Sequence, residues 1–489
     1  MLNRIIMASK HFKFIILGSG QAAPPLAQAL TAAHGKGSTL IIEKAYIGGT
    51  CVNYGCTPTK TMIASGRVAY LAGRGGDYGI ATAVSAQGTA GGHGFVDMEK
   101  VRQRKRDIVA SFRGGNEGRL ERAGVVVKYG IGRFAGPKTI VLKASDAPGE
   151  QEYTADKIFI NTGCRPSEPN IPVEGVDPER ILDSTSIMEL SEVPRKLIVV
   201  GAGYVGLEFG QLFRRLGADV TVVGRSTQVL AREDQDIAEE LRKILVEDGM
   251  EIELGVDTVR LESIDEGDMK LKLVYKPLSG GPEKSVLGSH ILWSAGRLPN
   301  TDMLNVTKAG IQLDSKGFVK YDEYLQTTAE NVYVLGDAKG GPAFTHISYD
   351  DFRILKNNLI GSASSKLSTK DRMVPYTVYT DPQLGHIGLH EHEAKKLYPG
   401  RNIKVAKMPM TWVARALETD ETRGMMKAVV DGDTEEILGY TCLGIEGGEM
   451  MSMVQIAMMG GLKYSQLRDG TFAHPTLAES LNNLWGSLE

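Results

Sequence analysis

The 489-residue chain has only four cysteines, Cys51, Cys56, Cys164 and Cys442. That is too few for a secreted disulfide framework, and no Cys-x-x-Cys pair offers a zinc site. No apolar run approaches the roughly 18 residues of a membrane span. Charge of one sign is also missing. The 56 basic and 59 acidic residues leave a net charge of −3, so there is no footprint for nucleic acid and no polybasic patch for a membrane. The first 14 residues carry Arg4, Lys10 and Lys13 and no acid, but Phe14–Leu17 is too short for a secretory h-region. It reads as a first strand, with residues 1 to 10 a frayed extension and the chain cytoplasmic; an organelle presequence is the lesser reading. No solenoid repeat is present. At 42% hydrophobic and 24% charged residues, disordered and fibrous classes are excluded, and the length suggests about three domains.

What the chain has in excess is glycine, 58 residues, about 12% against a usual value near 7%. Two segments concentrate it. Strand Phe14–Leu17 runs into Gly18-Ser19-Gly20-Gln21-Ala22-Ala23, then a helix to about Ala33, then a strand Thr39–Ile42 ending on Glu43. An acid about 20 residues after such a loop is the one that bonds a ribose hydroxyl. Strand Leu197–Val200 repeats the design with Gly201-Ala202-Gly203-Tyr204-Val205-Gly206 and a helix to Leu216. One such loop is weak evidence; two, each between strand and helix, indicate two dinucleotide sites. The second strand of the second copy, Asp219–Val223, ends on Gly224-Arg225, with Arg232 beyond. No acid is there to repel a 2′-phosphate and a guanidinium could pair with it, which favours NADPH over NADH.

The segment Gly48-Gly49-Thr50-Cys51-Val52-Asn53-Tyr54-Gly55-Cys56-Thr57-Pro58-Thr59-Lys60 sets two thiols five positions apart. In a regular helix that spacing turns by about 500°, so the side chains diverge. A bridge needs a distorted helix, and a helix N-terminus would lower a thiol pKa.

With these motifs stand Thr162-Gly163, GAGYVGLE, SAGRLPNT, VYVLGDA, YTDPQLGHIG and HPTLAE. The set resembles the pyridine nucleotide–disulfide oxidoreductases of the dihydrolipoamide dehydrogenase, glutathione reductase and mercuric reductase type, over nearly the whole chain. The resemblance implies an α/β protein with two Rossmann-like dinucleotide-binding domains and a C-terminal α+β dimerisation domain. The boundaries read as 1–162 for the first part of the FAD domain, interrupted by a Gly/Ser/Ala-rich loop at Val84–Gly94 and a charged helix around Met98–Arg113. The NAD(P) domain follows at 163–297, the second FAD part at 298–369 and the dimerisation domain at 370–489.

The resemblance also assigns roles. Gly18, Gly20 and Ala23 would cradle the FAD pyrophosphate, Glu43 the ribose and Asp337 the ribityl chain, with Thr50, Gly132, Thr162 and Gly163 as further FAD contacts. Cys56 would face the flavin and Cys51 the substrate. Lys60, paired with Glu208, would sit near the flavin. Gly201, Gly203, Tyr204, Gly206, Arg225, Arg232 and Gly296 would serve NADPH. His474 of one chain, oriented by Glu479, would move protons at the thiols of the partner in a homodimer.

Thr57-Pro58-Thr59-Lys60 leans to mercuric-reductase-like members, yet no cysteine follows Cys442, so the vicinal C-terminal thiols of typical mercuric reductases are missing. The stretches Gly340–Arg353 and Glu479–Leu484 look like the reactive-chlorine-resistance reductases, associated with copper(II) reduction. The expectation is electron transfer from NADPH through FAD and the Cys51–Cys56 disulfide to a soft metal ion, Cu(II) or Hg(II), or to a small oxidised thiol. A dihydrolipoamide dehydrogenase-like enzyme and a redox-sensing flavoprotein with little turnover are the alternatives. No resident metal is expected, Cys51 and Cys56 serving at most as transient ligands of a substrate metal. His386, His390 and His392, near Glu391 and Glu393, read as a solvated helix N-terminus before a surface metal site. Met450, Met451, Met453, Met458 and Met459 read as core or dimer-interface packing.

Overall fold

The computed structural model describes residues 10–81, 96–145, 149–362, 365–370 and 372–488. Residues 1–9 and the whole Val84–Gly94 stretch lie outside them. The chain forms two compact units. One gathers residues 1–61, 103–167 and 296–372, the other residues 62–102, 168–295 and 373–489.

The first unit is built on four parallel strands, Thr39–Glu43, Lys10–Leu17, Glu150–Ile160 and Val332–Val334, in that order. Phe14-Ile15-Ile16-Leu17 is apolar on both faces because helices cover a parallel sheet on both sides, and all four residues are buried. Val126–Gly136 extends the sheet in parallel beside Thr39–Glu43, and the strand Thr139–Ala144 joins it to Glu150–Ile160 by antiparallel pairing. Helix Ala23–His34 carries Pro24 and Pro25 in its first turn, where their missing N–H groups cost nothing. The charged helix runs longer than its sequence pattern, Met98–Ala123.

Among the described residues, the second unit holds three sheets. A parallel sheet orders Glu251–Leu254, Asp219–Gly224, Lys196–Val200, His290–Trp293 and Ile181–Leu182. A second sheet orders Lys284–Gly288, Met269–Pro277, Val256–Glu266 and Val173–Glu174. The third orders Tyr376–Val378, Gln383–Gly388, Ile437–Gly444, Met425–Asp431 and Ile403–Pro409. Helix Gly447–Met459 packs Met450, Met451, Val454 and Ala457 into the same cluster as the last sheet, while Met459 is 69% exposed.

The strand Gln383–Gly388 corrects the histidine reading. His386 lies inside the sheet, paired with Tyr376 on one side and Thr441 on the other, and is buried. His390 is also buried, directly ahead of helix Glu391–Leu397. Only His392 stands in solvent, beside Asp234 at 3.0 Å.

Candidate active site

In the first unit, the loop after Lys10–Leu17 is fixed by close backbone contacts. Gly18 has φ +90°, and a Cβ there would lie 2.5 Å from the Asn161 carbonyl oxygen, so only glycine fits. Asn161 donates from Nδ2 to the carbonyls of Gly20 (3.2 Å) and Gly18 (3.4 Å). The Gly48–Thr50 turn packs on this loop: a Cβ on Gly49 would lie 2.5 Å from Gly20 Cα. Ala23 opens the following helix, fully buried.

Glu43 is buried and accepts from Ser19 N (2.8 Å), Ser19 Oγ (2.7 Å) and Ala45 N (2.9 Å). A carboxylate has about four lone-pair directions, so roughly one remains for a ribose hydroxyl. The sequence pointed to the acid but not to Ser19, which spends two of its donors. Gly132 sits in Val126–Gly136, where an added Cβ would lie 3.0 Å from the Leu17 side chain and 3.1 Å from that of Ile42.

The groups expected to hold FAD fit a polar ligand. Thr162 Oγ1 is buried with no hydrogen-bond partner among the described residues, and Gly163 beside it has φ +63°. Burial raises the Asp337 carboxyl, with Arg297 and Lys339 pulling it back. A desolvated carboxylate calls for hydroxyl donors, which a ribityl chain supplies. Asp337 is itself on a fixed turn: Asp351 Oδ2 accepts from Gly336 N at 2.8 Å and from Lys339 Nζ at 2.9 Å, and Asp351 Oδ1 from Arg372 at 2.7 Å.

Cys51 and Cys56 resolve the spacing problem by occupying two helices. Cys51 is in the five-residue helix Gly49–Asn53; Tyr54 and Gly55 break the path, and Cys56 begins the helix Cys56–Gly73. In this structure both side chains are free thiols. Cys51 is half-buried and Cys56 exposed. Thr345, first residue of helix Thr345–Ile360, brings Oγ1 to 3.4 Å from Cys56 Sγ.

The expectation of a lowered thiol pKa fails for Cys51. Its thiol is pushed far above the ordinary value, first by the hydrogen bond with Cys56, then by burial and then by charge on Cys56; Thr345 and Lys60 act in the opposite sense. Two adjacent sulfurs cannot both ionise easily. The pair therefore carries one negative charge at most near neutrality.

In the second unit, the loop Gly201–Gly206 has the same close packing: a Cβ on Gly206 would lie 2.1 Å from the Gly201 carbonyl oxygen. Gly203 precedes the helix Tyr204–Leu216, and Tyr204 is 38% exposed on its first turn. Arg225 and Arg232 are exposed. Arg225 Nε lies 3.9 Å from Asp257 Oδ1, so one acid is near the expected phosphate arginine after all. Gly296 falls in the first unit, its carbonyl accepting from Ser167 N at 3.1 Å. Glu208 is buried and its Oε1 accepts from Tyr379 N at 2.9 Å. Lys60 is in the first unit.

His474 is exposed, and Glu479 grips its Nδ1 at 2.9 and 3.0 Å. The pair lies in the second unit, the thiols in the first. Sequence reading gave no role to Thr345, Ser19, Asn161 or Asp351. Thr345 carried no local signal: it meets Cys56 across 289 positions only through the fold.

Comparison with known proteins agrees with this geometry. The pyridine nucleotide-disulphide oxidoreductase pattern matches residues 12–351, and the dimerisation domain of the same family matches residues 374–484. The probable pyridine nucleotide-disulfide oxidoreductase RclA of Escherichia coli K12 is 34% identical over 97% of this chain and 98% of its own length. The mercuric reductase of Bacillus cereus is 32% identical over 96% of this chain and 70% of its own. A dihydrolipoyl dehydrogenase of Thermus scotoductus is 31% identical over 96% of each. The Cu(II) complex of the HOCl-induced flavoprotein disulfide reductase RclA from E. coli superposes with a TM-score of 0.85, at 32% identity over 98% of this chain and 99% of that one. The chain belongs to the pyridine nucleotide-disulphide oxidoreductase family, as a flavoprotein disulfide oxidoreductase of RclA and mercuric reductase type.

Proposed function

We propose that this enzyme uses NADPH, in preference to NADH, to reduce a soft metal ion, Cu(II) or Hg(II), or a small oxidised thiol compound through Cys51 and Cys56. The observation that carries the reading is the thiol pair itself: a half-buried Cys51 in hydrogen-bond contact with Cys56, which stands at a helix start within reach of Thr345. Bound FAD supplies the ring that relays two electrons from the nicotinamide to the thiol pair. Gly18, Gly20, Ala23, Glu43, Thr50, Gly132, Thr162, Gly163 and Asp337 hold that nucleotide. Gly201, Gly203, Tyr204, Gly206, Arg225, Arg232 and Gly296 serve NADPH.

The thiol chemistry balances. Two thiols give up two electrons and two protons and become the Cys51–Cys56 disulfide. Two Cu(II) become two Cu(I), or one Hg(II) becomes mercury metal. With a disulfide substrate, the same electrons and protons yield two substrate thiols. Sulfur ligands favour soft ions. The neighbours support the choice: the E. coli RclA structure is a Cu(II) complex, and several relatives are mercuric reductases. His474 of the partner subunit takes the Cys51 proton in a homodimer built through the C-terminal domain.

A steady-state panel of Cu(II), Hg(II), lipoamide and glutathione disulfide, each with NADPH and NADH, tests this reading. The expected result is metal-dependent NADPH oxidation that Cys51→Ser abolishes. Turnover on lipoamide alone would replace it with the dihydrolipoamide dehydrogenase reading. Turnover on none would leave a redox sensor. Anaerobic NADPH titration of the FAD-loaded enzyme is expected to raise a long-wavelength absorbance that is missing in Cys56→Ser.

A further inference from the structure

The second unit buries a set of metal-competent side chains that the thiol chemistry does not use. Glu233, His386 and His390 each bring one ligand atom within 4.8 Å of the others. Glu233 and His390 are 6% exposed and His386 2%. Glu233 lies after the second dinucleotide loop and the histidines in the C-terminal sheet region, so the cluster joins two segments far apart in sequence.

Hydrogen-bond polarity fixes which ring nitrogens carry lone pairs. Tyr376 has one hydroxyl proton, and it goes to Glu233 Oε1 at 2.5 Å. At His390 Nε2, 3.2 Å from the same oxygen, the ring must then be the donor. His390 Nδ1 is therefore an acceptor. It faces Glu233 Oε2 at 4.0 Å, and neither atom has a hydrogen-bond partner among the described residues. Two buried acceptors confronting each other lack a positive charge. His386 follows the same rule. The Gly388 carbonyl, 3.1 Å from Nε2, can only accept, so Nδ1 holds the lone pair, with the Thr441 hydroxyl at 2.8 Å.

Lys427 and His392 do not meet this need. Lys427 is committed to Asp234 (2.9 Å), Asp236 (3.0 Å) and Glu391 (2.8 Å). His392 is held by Asp234 at 3.0 Å. Glu233 is left without a cation among these groups, and burial pushes its carboxyl up to about 7.

We propose that Glu233, His386 and His390 bind a resident divalent transition-metal ion of borderline softness, zinc(II) class, through one carboxylate oxygen and the two Nδ1 atoms. A His₂Glu set is a known zinc ligand combination. Metal-bound histidines usually anchor their second ring N–H on an oxygen, as both do here, on the Gly388 carbonyl and on Tyr376. Tetrahedral bonds of about 2.0–2.1 Å put ligand atoms roughly 3.3 Å apart. Binding must draw the 4.0 Å pair together. It must also splay the two rings, now stacked at 3.9 Å and 16°, and free His386 Nδ1 from Thr441. All three ligands are nitrogen or oxygen and none is redox-active. The ion is distinct from any metal reduced at the thiols, and the proposal does not depend on the electron acceptor.

The test uses FAD-loaded enzyme with Cys51→Ser and Cys56→Ser, so that the thiols take no metal. It is stripped with chelator and titrated with zinc chloride. The expected result is one zinc per chain, with a rise in Tm. Glu233→Gln, close in shape, should weaken zinc at least tenfold, and His390→Gln should do the same if the first variant fails to fold. His474→Ala should bind zinc like the parent. The proposal is overturned if no stoichiometric zinc binds, if the folded Glu233 and His390 variants both bind like the parent, or if His474→Ala alone removes the zinc.

Discussion

Glu479 holds His474 by Nδ1, at 2.9 and 3.0 Å to its two carboxylate oxygens. A carboxylate only accepts, so Nδ1 carries the proton and the neutral ring presents Nε2 as a base. In the proposed mechanism the Cys51 thiol, held well above its ordinary pKa, is the group that needs one. With a disulfide acceptor, His474→Ala should lower kcat by roughly 10²–10⁴-fold, while NADPH still reduces the flavin at the wild-type rate. Stopped-flow measurement of the two half-reactions separates these. Mixed dimers of His474→Ala with Cys51→Ser should recover activity, since one complete site forms from the His474 of one chain and the thiols of the other. Heterodimers as inactive as both parents would remove the partner histidine from the mechanism.

Thr345 stands 3.4 Å from the Cys56 sulfur, and its hydroxyl can donate to a thiolate there. A hydrogen bond to a charged group contributes about 1.5–3 kcal/mol, and one pKa unit is about 1.4 kcal/mol. Thr345→Val should therefore move the pH midpoint of the long-wavelength absorbance of the reduced enzyme upward by roughly one to two units. Thr345→Ser should restore it. An unchanged midpoint in the valine variant would make Thr345 a packing residue only.

The dinucleotide loops were legible because their chemistry is local. Gly18 and Gly206 are demanded by backbone atoms of their own βα units or the adjoining strand, and such demands leave a short-range pattern. The two cysteines were legible as a pair but not in their electrostatics. Helix position argued for a lower thiol pKa, whereas their mutual contact, a tertiary fact, raises Cys51. His386 was misplaced for a related reason. Gln383–Gly388 is a short strand holding two glycines and a histidine, so no alternation of apolar residues announced it. Its burial comes from pairing with Tyr376–Val378 and Ile437–Gly444.

The proposed preference for NADPH rests on Arg225 and Arg232, both exposed. Replacing either with alanine should raise KM for NADPH about tenfold or more while leaving KM for NADH and both kcat values close to wild type, because only a 2′-phosphate is lost as a partner. Asp257, 3.9 Å from Arg225, competes for that guanidinium, so Asp257→Asn should lower KM for NADPH slightly. Equal effects on both nucleotides would show that the arginines bind the shared pyrophosphate instead.

Asp381 offers a test of stability that is independent of the chemistry. Its carboxylate pairs with Arg67 and Arg215, and its backbone carbonyl accepts from Gln211 at 2.8 Å and from Arg423 at 3.2 Å. Arg67 also reaches Glu421 at 2.7 Å, and Arg423 reaches Asp248 at 2.6 Å. Arg215, 7% exposed at its side chain, lies over the Tyr70 ring at 3.9 Å. Burial alone would raise the Asp381 carboxyl, but Arg215 and then Arg67 outweigh it and bring it below the model-peptide value of 3.8. Removing one partner of a buried pair leaves the other charge uncompensated, which costs about 3–5 kcal/mol. Asp381→Asn should thus lower Tm clearly at pH 7. A carboxyl whose folded pKa is depressed contributes stability above its unfolded pKa and loses it as pH falls through the folded value. The Tm gap between wild type and Asp381→Asn should stay flat from pH 8 to about 5 and narrow below about pH 4. Thermal melts across that range check it, and a gap that persists undiminished at pH 3 would mean that the asparagine variant is destabilised by packing rather than by the lost charge.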